Sequence, residues 1–170
     1  ILKYFLLIVG AVLIFLSFWL AGEALFGELV ARACEQYRRP YKLTFAGLAM
    51  VLPIVLLALA FFKFANNPLM NIAGVTCLGI VILGGLVGSA GLAQRIGAGL
   101  PSPADLTQPW WRVLRGGIVL VFTFLLPFIG WIGLTIWTLV TGFAALVFAV
   151  REAKADTTPP LPKVESPNAP

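Results

Sequence analysis

The sequence predicts an all-α fold, a polytopic integral membrane bundle of about five transmembrane helices. Three observations predict it. Of 170 residues, 60% are hydrophobic and only 11% are charged, against about a quarter charged in a soluble domain. The mean hydropathy is +0.98. The charges also avoid four long stretches, 4–22, 43–62, 64–94 and 116–150, of 19, 20, 31 and 35 residues. Crossing the hydrocarbon core takes about 20 apolar residues in a helix.

The first two stretches each make one span. Residues 23–42 between them place Leu25, Phe26, Leu29, Val30 and Ala33 at helical spacing. Glu28 and Arg32, and Glu35 and Arg39, stand four residues apart with the acid first, the favourable order. The segment reads as an amphipathic helix on the inner membrane surface or as a solvated continuation of the first helix. It stops before Pro40. The third span follows Asn66-Asn67-Pro68 and runs over 69–92.

The fourth stretch is too long for one crossing. At 1.5 Å per residue it would reach about 52 Å, against a core of about 30 Å. It contains Leu126-Pro127-Phe128-Ile129-Gly130-Trp131. Proline removes a backbone donor and glycine permits reversal. A hairpin is expected, with spans 110–127 and 131–150 packed side by side. A re-entrant half-helix and a single proline-kinked helix are the rivals. Trp110 and Trp111 would anchor the fourth span at the interface, with Arg112 and Arg115 snorkelling to the headgroups. Residues 93–109, rich in Gly and Pro, read as an irregular loop. The Pro-rich tail 151–170, with Pro159-Pro160-Leu161-Pro162, reads as disordered and cytoplasmic.

The twelve basic residues test the count. With five spans, one side holds Arg32, Arg38, Arg39, Lys42, Arg95, Arg112, Arg115, Arg151, Lys154 and Lys163, and the other only Lys3 and Lys63. A single crossing by 116–150 would move three of them and turn ten against two into seven against five. Short loops rich in Lys and Arg stay cytoplasmic. The N-terminus is therefore expected outside and the C-terminus inside. The net charge of +5 is a topology signal, and nucleic acid is not an expected partner. The chain starts with Ile and lacks the charged start and cleavage site of a secretory signal, so it reads as the end of a longer precursor or as a trimmed one.

Candidates for chemistry are few. There is no His, which removes imidazole bases and His-ligated metals. Cys34 and Cys77 stand far apart and make no metal set. None of the seven acids lies inside an expected span, whereas pumps usually carry an intramembrane ionisable residue. No catalytic residue, cofactor or metal site is expected, and the chain reads as a non-enzyme. The polar groups within spans are Asn71, Thr76, Thr123, Thr135, Thr138 and Thr141. The third span is the most distinctive. Gly84 and Gly88 form a GxxxG, with Gly85 and Ser89 beside them. Small residues let helix backbones approach closely in lipid. This face serves either packing within the bundle or docking of a partner.

Three passages resemble the C-terminal transmembrane region of bacterial polymer-forming, bactofilin-like membrane proteins. The first runs from Gly27-Glu28-Leu29-Val30-Ala31-Arg32 through Arg38-Arg39-Pro40 into Leu43. The second is the exit of the glycine-rich span, Ala93-Gln94-Arg95-Ile96-Gly97. The third is the closing Leu125-Leu126-Pro127-Phe128-Ile129-Gly130-Trp131 and Leu139-Val140-Thr141-Gly142-Phe143-Ala144-Ala145-Leu146. The likeness covers roughly residues 5–151. This chain lacks the Gly-Ile-Pro turn of the middle span, reading Cys77-Leu78-Gly79-Ile80-Val81, and the exported β domain of such proteins is not among these 170 residues. The resemblance implies a non-enzymatic anchor or scaffold in a bacterial inner membrane. The alternatives are an accessory subunit of a larger membrane complex and a small-solute or lipid transporter. Expected partners are the lipid bilayer and either a homo-oligomer or such a complex.

Overall fold

A computed structural model describes residues 2–63, 68–100, 108, 110–124 and 129–156. The fold is an all-α bundle of five helices, with no strand among the described residues. They are α1 (Leu2–Gln36), α2 (Pro40–Lys63), α3 (Pro68–Ala98), α4 (Trp110–Phe124) and α5 (Thr135–Asp156). A π-helical segment, Ile129–Leu134, leads into α5. The helices over Leu6–Gln36, Pro40–Lys63, Pro68–Ala98 and Ile132–Ala155 are long and apolar enough to cross a membrane. The chain is a multi-pass membrane protein. Leucine and isoleucine crowd its outer surface, among them Leu13, Leu48, Leu52, Ile72, Ile80 and Leu83. In water such a surface would drive aggregation; in lipid it contacts the acyl chains.

The α3 helix is central and packs against all four others. Its glycines set the register. Gly97 meets the backbone of Arg112, and Gly116 meets that of Ala93, so α4 runs antiparallel to α3. Gly85 meets Leu139 and Gly88 meets Gly142, so α5 runs parallel to it. The chain therefore reverses between α4 and α5, as a hairpin requires and a single kinked helix does not. The reversal itself, with Leu126 and Pro127, lies outside the described residues. The two helices are not packed along each other as expected. Instead α4 rests on α1 and α3, while α5 rests on α1, α2 and α3. The close glycine approaches to α3 on both sides account for that difference. Over its 15 residues α4 reaches about 22 Å, less than the hydrocarbon thickness.

Residues 23–42 differ from both expectations. One helix, α1, continues to Gln36 but breaks at Phe26, where φ is −134° and ψ is 35°. Gly22 lies against Ala90, yet Ala33 and Cys34 lie against Gly91, the next residue of α3. Eleven residues of straight helix span about 16 Å. The second half of α1 must therefore turn at Phe26 and cross α3 rather than follow it. Val30, Ala33 and Tyr37 are buried in the bundle, whereas Leu25 and Phe26 are exposed. The stripe expected from spacing is split by the break. The Glu28–Arg32 pair forms at 3.0 Å. Glu35 instead pairs with Arg38 at 2.6 Å, because the helix ends at Gln36 and carries Arg39 off the face of Glu35.

Three boundaries also move. Pro40 opens α2 at the first helical position, where its missing N–H costs nothing. The expected loop from Ala93 is helical to Ala98, because Ala93 and Gly97 are packing positions for α4. Past 150, α5 continues to Asp156. The loop residues 101–107 and the proline-rich stretch of the tail lie outside the described residues.

Candidate functional site

Among the described residues, the candidate site is the small-residue face of α3 and what it grips. Gly84, Gly85, Gly88 and Ser89 occupy just over one helical turn. A Cβ on Gly85 would stand 2.7 Å from the Leu139 carbonyl oxygen. One on Gly88 would enter the Gly142 carbonyl, and one on Gly142 would enter that of Gly85. The Phe143 ring lies 3.0 Å from where a Gly84 Cβ would be. The face is thus filled by α5 of the same chain. Lipid tails are as apolar as leucine, so helices associate in lipid through such close backbone contact.

The same device recurs where the sequence reading did not single it out. Gly97 and Gly116 bring α3 and α4 together, Gly91 admits the second half of α1, and a Cβ on Gly47 of α2 would stand 2.5 Å from the Val140 carbonyl oxygen. Ala93-x3-Gly97 was the available signal, a small-x3-small pair one turn beyond the GxxxG. Ala33, Ala144, Ala145 and Ala149 form a further seam of small residues between α1 and α5.

Polar side chains tie these seams. The Trp19 indole donates to Ser89 Oγ at 2.9 Å, and Ser89 donates to the Leu86 carbonyl at 2.8 Å. The Trp137 indole donates to Thr44 Oγ1 at 3.1 Å. The Tyr37 hydroxyl donates to Thr141 at 3.5 Å. Burial holds the Tyr37 phenol above its ordinary pKa. The three ring bonds, from Trp19, Trp137 and Tyr37, each join segments distant in sequence through a ring at least half-buried whose polar tip is satisfied. Tyr37→Phe keeps the ring and loses one long hydrogen bond. It should lower stability by less than about 1 kcal/mol, read as a small drop in the thermal midpoint in detergent.

The interface residues take the opposite position. Trp110 and Trp111 stack at 4.6 Å and are exposed at the start of α4. Arg112 and Arg115 follow, half-buried, with Arg112 at the contact with Gly97. The cationic ends of the helices gather at one end of the bundle: Gln36 beside the α1–α2 turn donates to Glu152 near the end of α5, and Arg112 abuts the end of α3. Lys63 closes α2 at the far end, where Phe62 packs on Gly74.

Among the described residues, the polar groups of the spans line no large common cavity. Thr138 and Thr141 are buried in the packed core. Thr76 and Thr123 donate back to the carbonyls of Ile72 and Val119 on their own helices. The void beside Ser89, Thr135 and Thr138 measures about 10 Å³, room for one water at most. An apolar recess of about 280 Å³ between α1 and α4, lined by Leu7, Phe15, Val121 and Phe124, offers no polar group but Thr135. Cys34 and Cys77 are free thiols, and no group of three metal-ligating side chains occurs among the described residues. Comparison with protein-family models, with curated proteins and with solved structures gave no match to this chain.

Proposed function

We propose that the chain is a non-enzymatic membrane anchor or scaffold, N-terminus outside and C-terminus inside, in a bacterial inner membrane. The observation that carries this reading is the polarity of the bundle. Of the eleven cations among the described residues, nine belong to segments at one end and two, Lys3 and Lys63, to the other. That asymmetry is the signal that holds a segment in the cytoplasm. The inward-turned small-residue seams add support, since they make a self-contained body whose outer surface is apolar. The bactofilin-like resemblance points the same way. A small-solute transporter is less well supported, because Thr76, Thr123 and Thr141 donate to carbonyls of their own helices and the void beside Thr135 and Thr138 measures only about 10 Å³.

Sidedness is tested by cysteine labelling in intact cells, in a background where Cys34 and Cys77 are alanine. Ser102→Cys and Ser166→Cys should both be shielded from an impermeant maleimide until the membrane is opened. Labelling of either from outside would reverse the proposed orientation.

A further inference from the structure

The turn between α1 and α2 borders a cavity of about 370 Å³ that the packing of the bundle does not use. It is lined by Arg38, Arg39 and Lys42, by Glu35 and Gln36 beside them, and by Leu43 and Phe148. The acids nearby are already engaged, Glu35 with Arg38 at 2.6 Å and Glu152 with Gln36 at 2.5 Å. Arg39 and Lys42 are exposed and have no ion pair among the described residues. The first turn of α2 carries no acid, so the positive end of the helix dipole adds to the two cations.

What stands beside the cavity identifies the source of the anion. Tyr41 is 78% exposed and Phe45 is 75% exposed, with Leu48 and Leu52 following on the same face of α2. These residues stand four, three and four apart, so they form one apolar stripe that starts at the cavity and descends along the span. Tyrosine at its head suits the headgroup level. A free anion would use only the cations. A lipid would use the cations and the stripe together.

We propose that this cavity holds the phosphate headgroup of an anionic membrane lipid on Arg39 and Lys42, with an acyl chain lying along Tyr41, Phe45 and Leu48. Basic recesses between helix ends at a membrane surface have the chemistry for such headgroups. The site does not depend on the anchor reading and would stand if that failed.

Native mass spectrometry of the purified chain tests it, counting retained phosphatidylglycerol against phosphatidylcholine of the same acyl chains. The wild-type chain should retain phosphatidylglycerol preferentially. Arg39→Gln with Lys42→Gln should weaken that retention roughly ten- to thirtyfold. Lys3→Gln with Lys63→Gln, which removes equal charge at the far end, should leave it unchanged, and Arg39→Lys with Lys42→Arg should preserve it. Both side chains are exposed, so all variants should keep the wild-type helical circular dichroism. Equal retention of the two lipids, or equal loss in the far-end variant, would overturn the proposal. Displacement of the lipid by millimolar inorganic phosphate would assign the site to a free anion and overturn the lipid.

Discussion

Gly88→Leu should abolish the folded bundle. The backbones of Gly88 and Gly142 touch, so even one added carbon meets a carbonyl that belongs to a helix and cannot swing away. Relief requires α5 to retreat from α3, and that retreat opens the contacts at Gly85, Gly84 and Val81 together. The cost exceeds about 4 kcal/mol, the range reserved for mutations that break a packing mechanism outright. In detergent the variant should run as aggregate by size exclusion and show no cooperative thermal transition. Gly79→Leu is the matched control. It lies on the same helix, with nothing within 4 Å of its missing Cβ. It should fold with a midpoint at or above that of the wild type, because glycine costs about 1 kcal/mol in a helix interior. A Gly88→Leu chain that stays monodisperse with an unshifted midpoint would refute the packing described for α3 and α5.

The second large effect is expected at Trp19. Its side chain is 1% exposed, the largest fully buried group of the core. It packs with the rings of Phe15 and Phe124 at 5.8 and 6.4 Å and joins α1, α3 and α4 in one cluster. Trp19→Ala removes that volume at a three-helix junction and should cost about 3–5 kcal/mol. Trp19→Phe separates packing from hydrogen bonding. It keeps part of the ring contact but loses the bond to Ser89 and some of the indole's packing on Gly117, so about 2 kcal/mol is expected, less than for Trp19→Ala. Denaturant or thermal unfolding of both variants in one detergent checks the ratio. Equal losses would mean that the indole N–H, rather than the ring, holds the junction.

Much of the fold could be read from charge and length, since lipid excludes charge over a fixed thickness. The gaps 4–22 and 43–62 lie within α1 and α2, and residues 68–94 of the third gap lie within α3. What could not be read depends on which helix meets which. Gly84 and Gly88 marked a close contact, but only the partner, Gly142, shows that it is made within the chain. Trp19 and Trp137 look like the interface tryptophans Trp110 and Trp111 in sequence, and only burial separates the two pairs. The break at Phe26 stands beside Gly27, but a lone glycine in a helical pattern does not by itself mark a kink, so spacing did not show the split of the stripe from Leu25 to Ala33. The headgroup cavity was likewise hidden, because Phe148 reaches it from the far end of the chain.

Alkaline carbonate extraction of cell membranes tests most directly the claim that these helices are solvated by lipid. A bundle surrounded by acyl chains should stay in the pellet and enter solution only when detergent is added. Release of the chain by carbonate alone, as a folded species, would contradict the account.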